Sequence, residues 1–470
     1  MKNPWIPFLA LISPNALVFL DQSILNVALP NIQQELGVSS TALQWTVNSY
    51  LLMIAVFVLL SGKIGDRVGL KKMMLLGLTG FIVSSAACGF AQNIWTLIIA
   101  RGFQGLSAAI MTPAQTGLIG YIFPGNLRGR ATGLIVSIGS IFMIAGPLIG
   151  GYLIEAADWR WIFWINLPTG ILGIWLAYHL LPETPSVKSR IDLLGFAFFA
   201  CAISGLTIFF MEAASWGWSS AATILCGAVT LLFLSLLFYR EAKAKHPFLD
   251  ISLFKYPVYG AINISISIIQ FFAMIQVFRT IYLQEILEYT PFETGALICF
   301  SSFPILFIAP LAGYISDKTS PKFPVAIGFL ILIFANFWFA FNSTPSLVVL
   351  CLALFGMGLG VPFIFTPSYS AAFASVPKAK TGSAMGMLFT LRMTSGTIGL
   401  ALIHLFVSTV QDYYLPLEGV RIATILSFSY VHFALAFLLI IALAFIMLLH
   451  NSKNGPRITE SFAEGWNPRQ

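Results

Sequence analysis

A chain of 470 residues with 9% charged and 58% hydrophobic side chains, and a mean hydropathy of +0.87, is too apolar to be a soluble domain. Apolar runs of about 20 residues, the length a helix needs to cross hydrocarbon, recur from end to end, so the expectation is an all-α polytopic membrane protein. The formal net charge of +7 sits in short loops between these runs, which argues for membrane topology and against nucleic acid as a partner.

Apolar windows and polar breaks predict fourteen helices, at 5–29, 43–62, 72–91, 95–122, 131–154, 160–181, 193–214, 219–239, 257–284, 295–315, 323–342, 345–369, 383–410 and 427–450. The first begins at Trp5, and no small-residue cleavage site follows a short apolar core, so it reads as a retained span. It carries Asp21 and Asn26 in Leu20-Asp21-Gln22-Ser23-Ile24-Leu25-Asn26-Val27-Ala28-Leu29-Pro30. Asp21 falls roughly 13 Å before the expected helix end at about 1.5 Å per residue. An ionised carboxylate at that depth needs a cation, a proton or a water-filled cavity. Burial favours the neutral acid and a nearby cation the ionised one, so a group between them can take up and release protons. A fixed pair with an arginine is the competing, purely structural reading.

Between the second and third helices lies Gly62-Lys63-Ile64-Gly65-Asp66-Arg67-Val68-Gly69-Leu70-Lys71-Lys72, with four cations and one acid in eleven positions. A positive-inside anchor accounts for the cations alone. The glycines at 62, 65 and 69 and the lone acid ask for more, because close approach of helices or a tight turn needs them. This segment resembles the signature loop between helices 2 and 3 of the major facilitator superfamily of transporters.

The fourth helix carries Ile98-Ile99-Ala100-Arg101-Gly102-Phe103-Gln104-Gly105, then Gln115. Arg101 lies roughly 9 Å below the outer boundary, a depth similar to that of Asp21, and is its candidate partner. Snorkelling to the headgroups is the alternative, but Gly102 and Gly105 favour a packed interior. The fifth helix carries Gly139, Gly146, Pro147, Gly150 and Gly151, a smooth face interrupted by a helix-kinking proline.

These segments, with Gln44-Trp45-Thr46-Val47-Asn48-Ser49-Tyr50 and Trp159-Arg160-Trp161-Ile162-Phe163-Trp164-Ile165-Asn166-Leu167-Pro168, resemble the fourteen-helix drug:proton antiporters. The resemblance covers most of the first half, and the second half matches in layout more than in motif. It implies that the glycine-proline helix belongs to an exporter exchanging substrate for protons. It also implies that Gly62, Gly65, Asp66, Arg67, Gly69 and Lys71 form an inner gate. With Arg130 they would make a latch, Asp66 bonding near residues 381–385, where a helix N-terminus favours an acid.

Gly313-Tyr314-Ile315-Ser316-Asp317-Lys318-Thr319-Ser320-Pro321-Lys322 looks like a degraded copy of that loop, offset by 251 residues (313 − 62). Two six-helix halves related by an axis along the membrane normal explain a repeat. The surplus length fits two extra helices between them, giving a major facilitator fold with a central two-helix insert. The expected divisions are 1–182, 183–256 and 257–450, with a polar tail at 451–470. Inner loops hold Lys63, Arg67, Lys71, Lys72, Arg128, Arg130, Lys188, Arg190, Arg240, Lys243, Lys245, Lys255, Lys318, Lys322, Lys378 and Lys380. Outer loops hold only Arg160, Arg279 and Arg421, so both termini are expected in the cytoplasm and the protein in the plasma membrane.

The second half has no acid at mid-depth in 257–284, 345–369 or 383–410, so coupling is expected to rest on Asp21, and polycationic substrates fit poorly. Asn26, Gln104, Gln115, Asn263, Gln270 and Tyr369 are candidate substrate-cavity residues, though each can equally be glue between helices. The five cysteines lie in apolar runs without metal-ligand spacing, the histidines are scattered, and no GK[ST] phosphate loop exists. No cofactor, metal or enzymatic activity is expected. The partners expected are a small molecule, protons and the bilayer, for a monomer that works alone or with a periplasmic adaptor. The leading reading is a proton-coupled exporter of small amphipathic or lipophilic compounds. A dedicated exporter of one metabolite, such as a siderophore or amino-acid derivative, and a receptor without transport remain open.

Overall fold

The computed structural model describes residues 4–186, 191–244, 247–342, 344–377 and 381–449, and they are helical almost throughout. The helices are α1 (Trp5–Leu36), α2 (Ser40–Val68), α3 (Leu70–Gly89), α4 (Ile94–Ile122), α5 (Gly125–Ala156) and α6 (Trp161–Leu180). Then come α7 (Leu193–Trp216), α8 (Ala221–Lys243), α9 (Pro257–Glu285), α10 (Pro291–Lys318), α11 (Lys322–Phe341) and α12 (Leu347–Ala374). The last helical run, Thr381–Leu449, breaks at Gly419 (φ 81°, ψ 169°), which divides it into α13 (381–418) and α14 (420–449). Thirteen helices are long and apolar enough to cross a membrane, and the last of them, 62 residues long, holds both α13 and α14.

Side-chain caps start several helices: Ser39 accepts from the Ala42 N–H, Asn93 from Thr96, and Thr290 forms a reciprocal capping box with Glu293. Two helices run further than expected. Helix α1 passes through Pro30 to Leu36, so Asp21 is near its middle rather than close to its end. Helix α2 continues to Val68, so Gly62, Gly65, Asp66 and Arg67 are helical, and the turn is Gly69 alone, at φ 102°. That left-handed φ is open to glycine at no steric cost, and it lets α3 begin at the next residue. Leu70 N–H then donates to Thr184 Oγ1 (2.7 Å).

Helices α2 and α3 pack closely on α4, and α1 on α5 and α6. In the second half α11 packs on α12 and α14-side residues, while α9 packs on α12 and α13. The two groups meet along two seams, α2 with α13 and α5 with α10. At the end bearing Gly37 they are tied together: Gln284 Nε2 donates to Val27 O (2.9 Å), Phe292 N–H to Glu155 Oε1 (2.9 Å), and Thr41 Oγ1 bonds His404 Nε2 (3.1 Å). At the Gly69 end α4 has no close packing with α12 or α13 among the described residues. Helix α7 lies against both α2 and α13: Trp45 Nε1 donates to Glu212 Oε1 (2.7 Å), and Phe199 and Ile203 share an apolar cluster with Leu60, Ala384 and Met387. Helix α8 packs mainly on α7.

Candidate functional site

The polar centre of the first half is built by a glycine. Gly105 of α4 presses on the α2 backbone, where an added Cβ would lie 2.8 Å from Tyr50 Cα. Only a residue without a side chain permits that approach. One turn earlier, Arg101 is thereby held beside Thr46 and Tyr50. Its Nη1 donates to Asp21 Oδ2 (2.5 Å) and Gln104 Oε1 (2.7 Å), its Nε donates to Thr46 O (3.1 Å), and the guanidinium lies 4.4 Å from the Tyr50 ring centre. Gln104 Nε2 and Asn166 Nδ2 both donate to Asp21 Oδ1, at 2.8 and 3.2 Å. Both amides also reach Ser85 Oγ, which donates to Phe163 O (2.9 Å). Asp21 is 0% and Arg101 1% exposed.

A buried ion pair repays its desolvation only if further hydrogen bonds satisfy both partners. Here the carboxylate receives three N–H donors from α4 and α6. Arg101 has two carbonyl acceptors and an aromatic face besides Asp21, so it stays partnered if the carboxylate is neutralised. On α2 the amides of Asn48, at the depth of this network, and of Gln44, nearer the Gly37 end, are buried with no hydrogen-bond partner.

The glycines of α5 divide between two contacts. Added Cβ atoms at Gly139, Gly146 and Gly150 would strike Asn15 and Phe19, Ser23, and Ile24, all on α1. Gly151 instead faces α10, where a Cβ would lie 2.6 Å from Phe292 Cα, and Gly295 of α10 rests on the Pro147 carbonyl. The seam between halves is therefore carried by Gly151, Pro147 and Gly295, whereas Gly146 lies against α1. Gly151→Val should force α5 and α10 apart, overpacking that costs about 1–3 kcal/mol. Reconstituted Gly151→Val is expected to leak protons without substrate, whereas Gly146→Val should keep a tight seam and disturb α1. Equal leak rates for the two would overturn this division.

Among the described residues the expected latch is not made. Asp66 is exposed and has no side-chain partner among the described residues, and Arg130 lies over the Trp5 ring at 5.6 Å. The side chains at 381–382 lie outside the described residues, as do Lys188, Arg190, Lys245, Lys378, Lys380 and the tail. Lys71 is 3.8 Å from Glu183, Arg67 is exposed, and Gly62 packs on Pro113. Lys63 Nζ donates to the Phe248 carbonyl (3.2 Å) beyond α8.

The six candidate cavity residues do not form one site. Gln104 belongs to the Asp21 network, Gln115 Nε2 donates to Leu11 O (2.6 Å), and Asn263 Nδ2 donates to its own helix at Tyr259 O (2.9 Å). Asn26 is half-buried and makes no side-chain hydrogen bond among the described residues. Gln270 and Tyr369 are brought together by Arg392, which the sequence reading passed over: its Nε donates to Gln270 Oε1 (2.7 Å) and its Nη1 to the Tyr369 hydroxyl (3.0 Å). An arginine inside an apolar run was visible, but a search for acids and loop cations does not stop at it. Arg279 also needs correction. It is no loop cation but lies within α9, 4% exposed. Asn166 and Ser85 carried no signal beyond being polar in apolar runs. The recess at the Gly37 end, ≈ 480 Å³, is lined by Asn31, Gln34, Gln284 and Glu285 among others, and by none of the candidate residues.

Comparison with known proteins identifies relatives along most of the chain. Residues 14–400 match the model of the Major Facilitator Superfamily. The chain is 32% identical over 391 residues to the multidrug resistance protein Stp of Mycobacterium tuberculosis (strain CDC 1551 / Oshkosh), covering 82% of this chain and 73% of that one. It is 30% identical over 420 residues to the riboflavin transporter RibZ of Clostridioides difficile (strain 630), covering 88% and 90%. Its fold is similar to a bacterial homologue of the human lysosomal transporter Spinster in an inward-facing, unoccupied conformation, with a TM-score of 0.67, 16% identity and 99% coverage of both chains.

Proposed function

We propose, from the premise that this chain belongs to the major facilitator superfamily of secondary transporters, that it exports small amphipathic or lipophilic compounds in exchange for protons. The observation that carries this reading is the sealed Asp21–Arg101 pair with its amide partners Gln104 and Asn166. An intramembrane ionisable residue points to function by default, and proton relays built on acids are among the roles it serves. Protonation of Asp21 would neutralise the acid while Arg101 keeps Thr46, Gln104 and the Tyr50 ring. The change in charge at α1 is a differential interaction that can bias two arrangements of the halves. The unpartnered amide of Gln44 offers a water-binding group between this site and the Gly37 end.

The charge bias of the loops supports a plasma-membrane protein with the Gly69 end in the cytoplasm. On that orientation, the ties at the Gly37 end together with the separation of α4 from α12 and α13 at the Gly69 end support an inward-open reading. Closure of the Gly69 end would bring the exposed Asp66 to the first turn of α13. Asp66→Ala is then expected to shift the population further toward inward-open, read by labelling cysteines placed on the two faces; unchanged labelling on both sides counts against the latch. Similarity to a riboflavin transporter favours, as the second reading, export of a single metabolite. Transport in everted vesicles under an imposed pH gradient, over a panel of dyes and metabolites, tests both. Several unrelated substrates support the first reading and one alone supports the second; no proton-coupled flux removes the export reading.

A further inference from the structure

The two halves differ in how they balance charge. In the first, the buried Arg101 is matched by the buried Asp21. In the second, every acid from 257 to 449 lies at a helix end or turn: Glu285, Glu288, Glu293, Asp317, Asp412 and Glu418. Two arginines nevertheless lie inside its helices. Arg279 is sealed, with Nη1 donating to Gln276 Oε1 (2.8 Å) and Nε and Nη2 unpartnered. Arg392, on α13, is half-buried. An uncompensated cation at such depth is costly and is retained where it meets something of opposite charge.

We propose that Arg392, with Gln270 and Tyr369, is the substrate-binding site of the second half and that it takes the carboxylate, sulfonate or phosphate group of an amphipathic organic anion. This rests on the transport reading and narrows its substrate class. The three side chains come from α13, α9 and α12, so they converge on one point, as residues facing lipid do not. Gln270 Oε1 and the Tyr369 hydroxyl hold the guanidinium by Nε and Nη1, which fixes its plane. A held fork is preorganised for a planar or tetrahedral oxyanion. The Phe365 ring, whose centre is 5.1 Å from the guanidinium, adds an apolar surface for the rest of the molecule. Among the described residues no acid pairs with Arg392, whose side-chain hydrogen bonds go to Gln270 and Tyr369.

The test uses the full-length protein in a neutral detergent and three matched probes: naphthoate, naphthamide and naphthylmethylammonium. Equilibrium dialysis should show naphthoate binding about tenfold or more tighter than the amide, the increment expected of one charge-assisted fork. Arg392→Gln should erase that preference with the melting temperature little changed, and Arg392→Lys should retain part of it. If Arg392→Gln fails to fold, Tyr369→Phe and Gln270→Leu, which free the guanidinium, must each weaken naphthoate selectively. Equal binding of the three probes, no binding of naphthoate, or a preference that survives Arg392→Gln overturns the proposal. Proton flux in proteoliposomes is read separately. Flux without an anion preference sinks this site but not the exporter, and a preference without flux supports the site and sinks proton-coupled export.

Discussion

Asp21→Asn is expected to abolish transport driven by a pH gradient while leaving the protein folded and able to bind substrate. Asparagine keeps an oxygen for Arg101 Nη1, and a flip of the Asn166 amide, whose oxygen is unpartnered, gives the new side-chain N–H an acceptor, so the polar shell can close around it. What it lacks is the charge that appears and disappears with the proton, because the amide mimics only the protonated acid. Substrate counterflow across proteoliposomes with no pH gradient should therefore survive where uphill export is lost. Normal uphill export by Asp21→Asn would remove Asp21 as the coupling group.

The second large effect is the loss of Arg101. Arg101→Gln leaves an ionised carboxylate at zero exposure with only amide donors. Breaking a buried pair from one side typically costs about 3–5 kcal/mol, a large share of a marginal fold's stability. Arg101→Gln should therefore express poorly or melt well below the parent protein. Adding Asp21→Asn removes the stranded charge, so the double variant should regain most of the lost stability without regaining transport. A single variant as stable as the parent would show that Asp21 is neutral when Arg101 is absent. A double variant no more stable than the single would place the damage in packing at Tyr50.

Most of the fold follows from apolar length, because crossing hydrocarbon leaves a helix few alternatives. The misplaced limits have a common cause: polar residues do not end a helix that projects beyond the hydrocarbon. Helix α2 thus runs through Lys63, Asp66 and Arg67 to the one residue, Gly69, whose φ cannot be helical. Asp21 and Arg101 could be matched from the sequence because depth along a helix is countable. Which face a glycine presents is not countable in that way, and Gly146 and Gly151, five residues apart, proved to serve different neighbours. Asn166 was equally hidden. Its approach to Asp21 depends on the one-residue interruption at Ile165 inside α6.

Helix α7 gives the molecule two unlike flanks. It roofs the seam where α2 meets α13, with Glu212 fastened to Trp45 on one side and Phe199 and Ile203 wedged against Ala384 and Met387 on the other. The opposite seam, where α5 meets α10, has no such roof among the described residues. The two flanks therefore differ in kind: one seam is covered by a further helix, and the other is closed by the direct backbone contact of Gly151 and Gly295 with their neighbours. Because α7 touches both α2 and α13, any movement of one against the other must shift α7 against at least one of them.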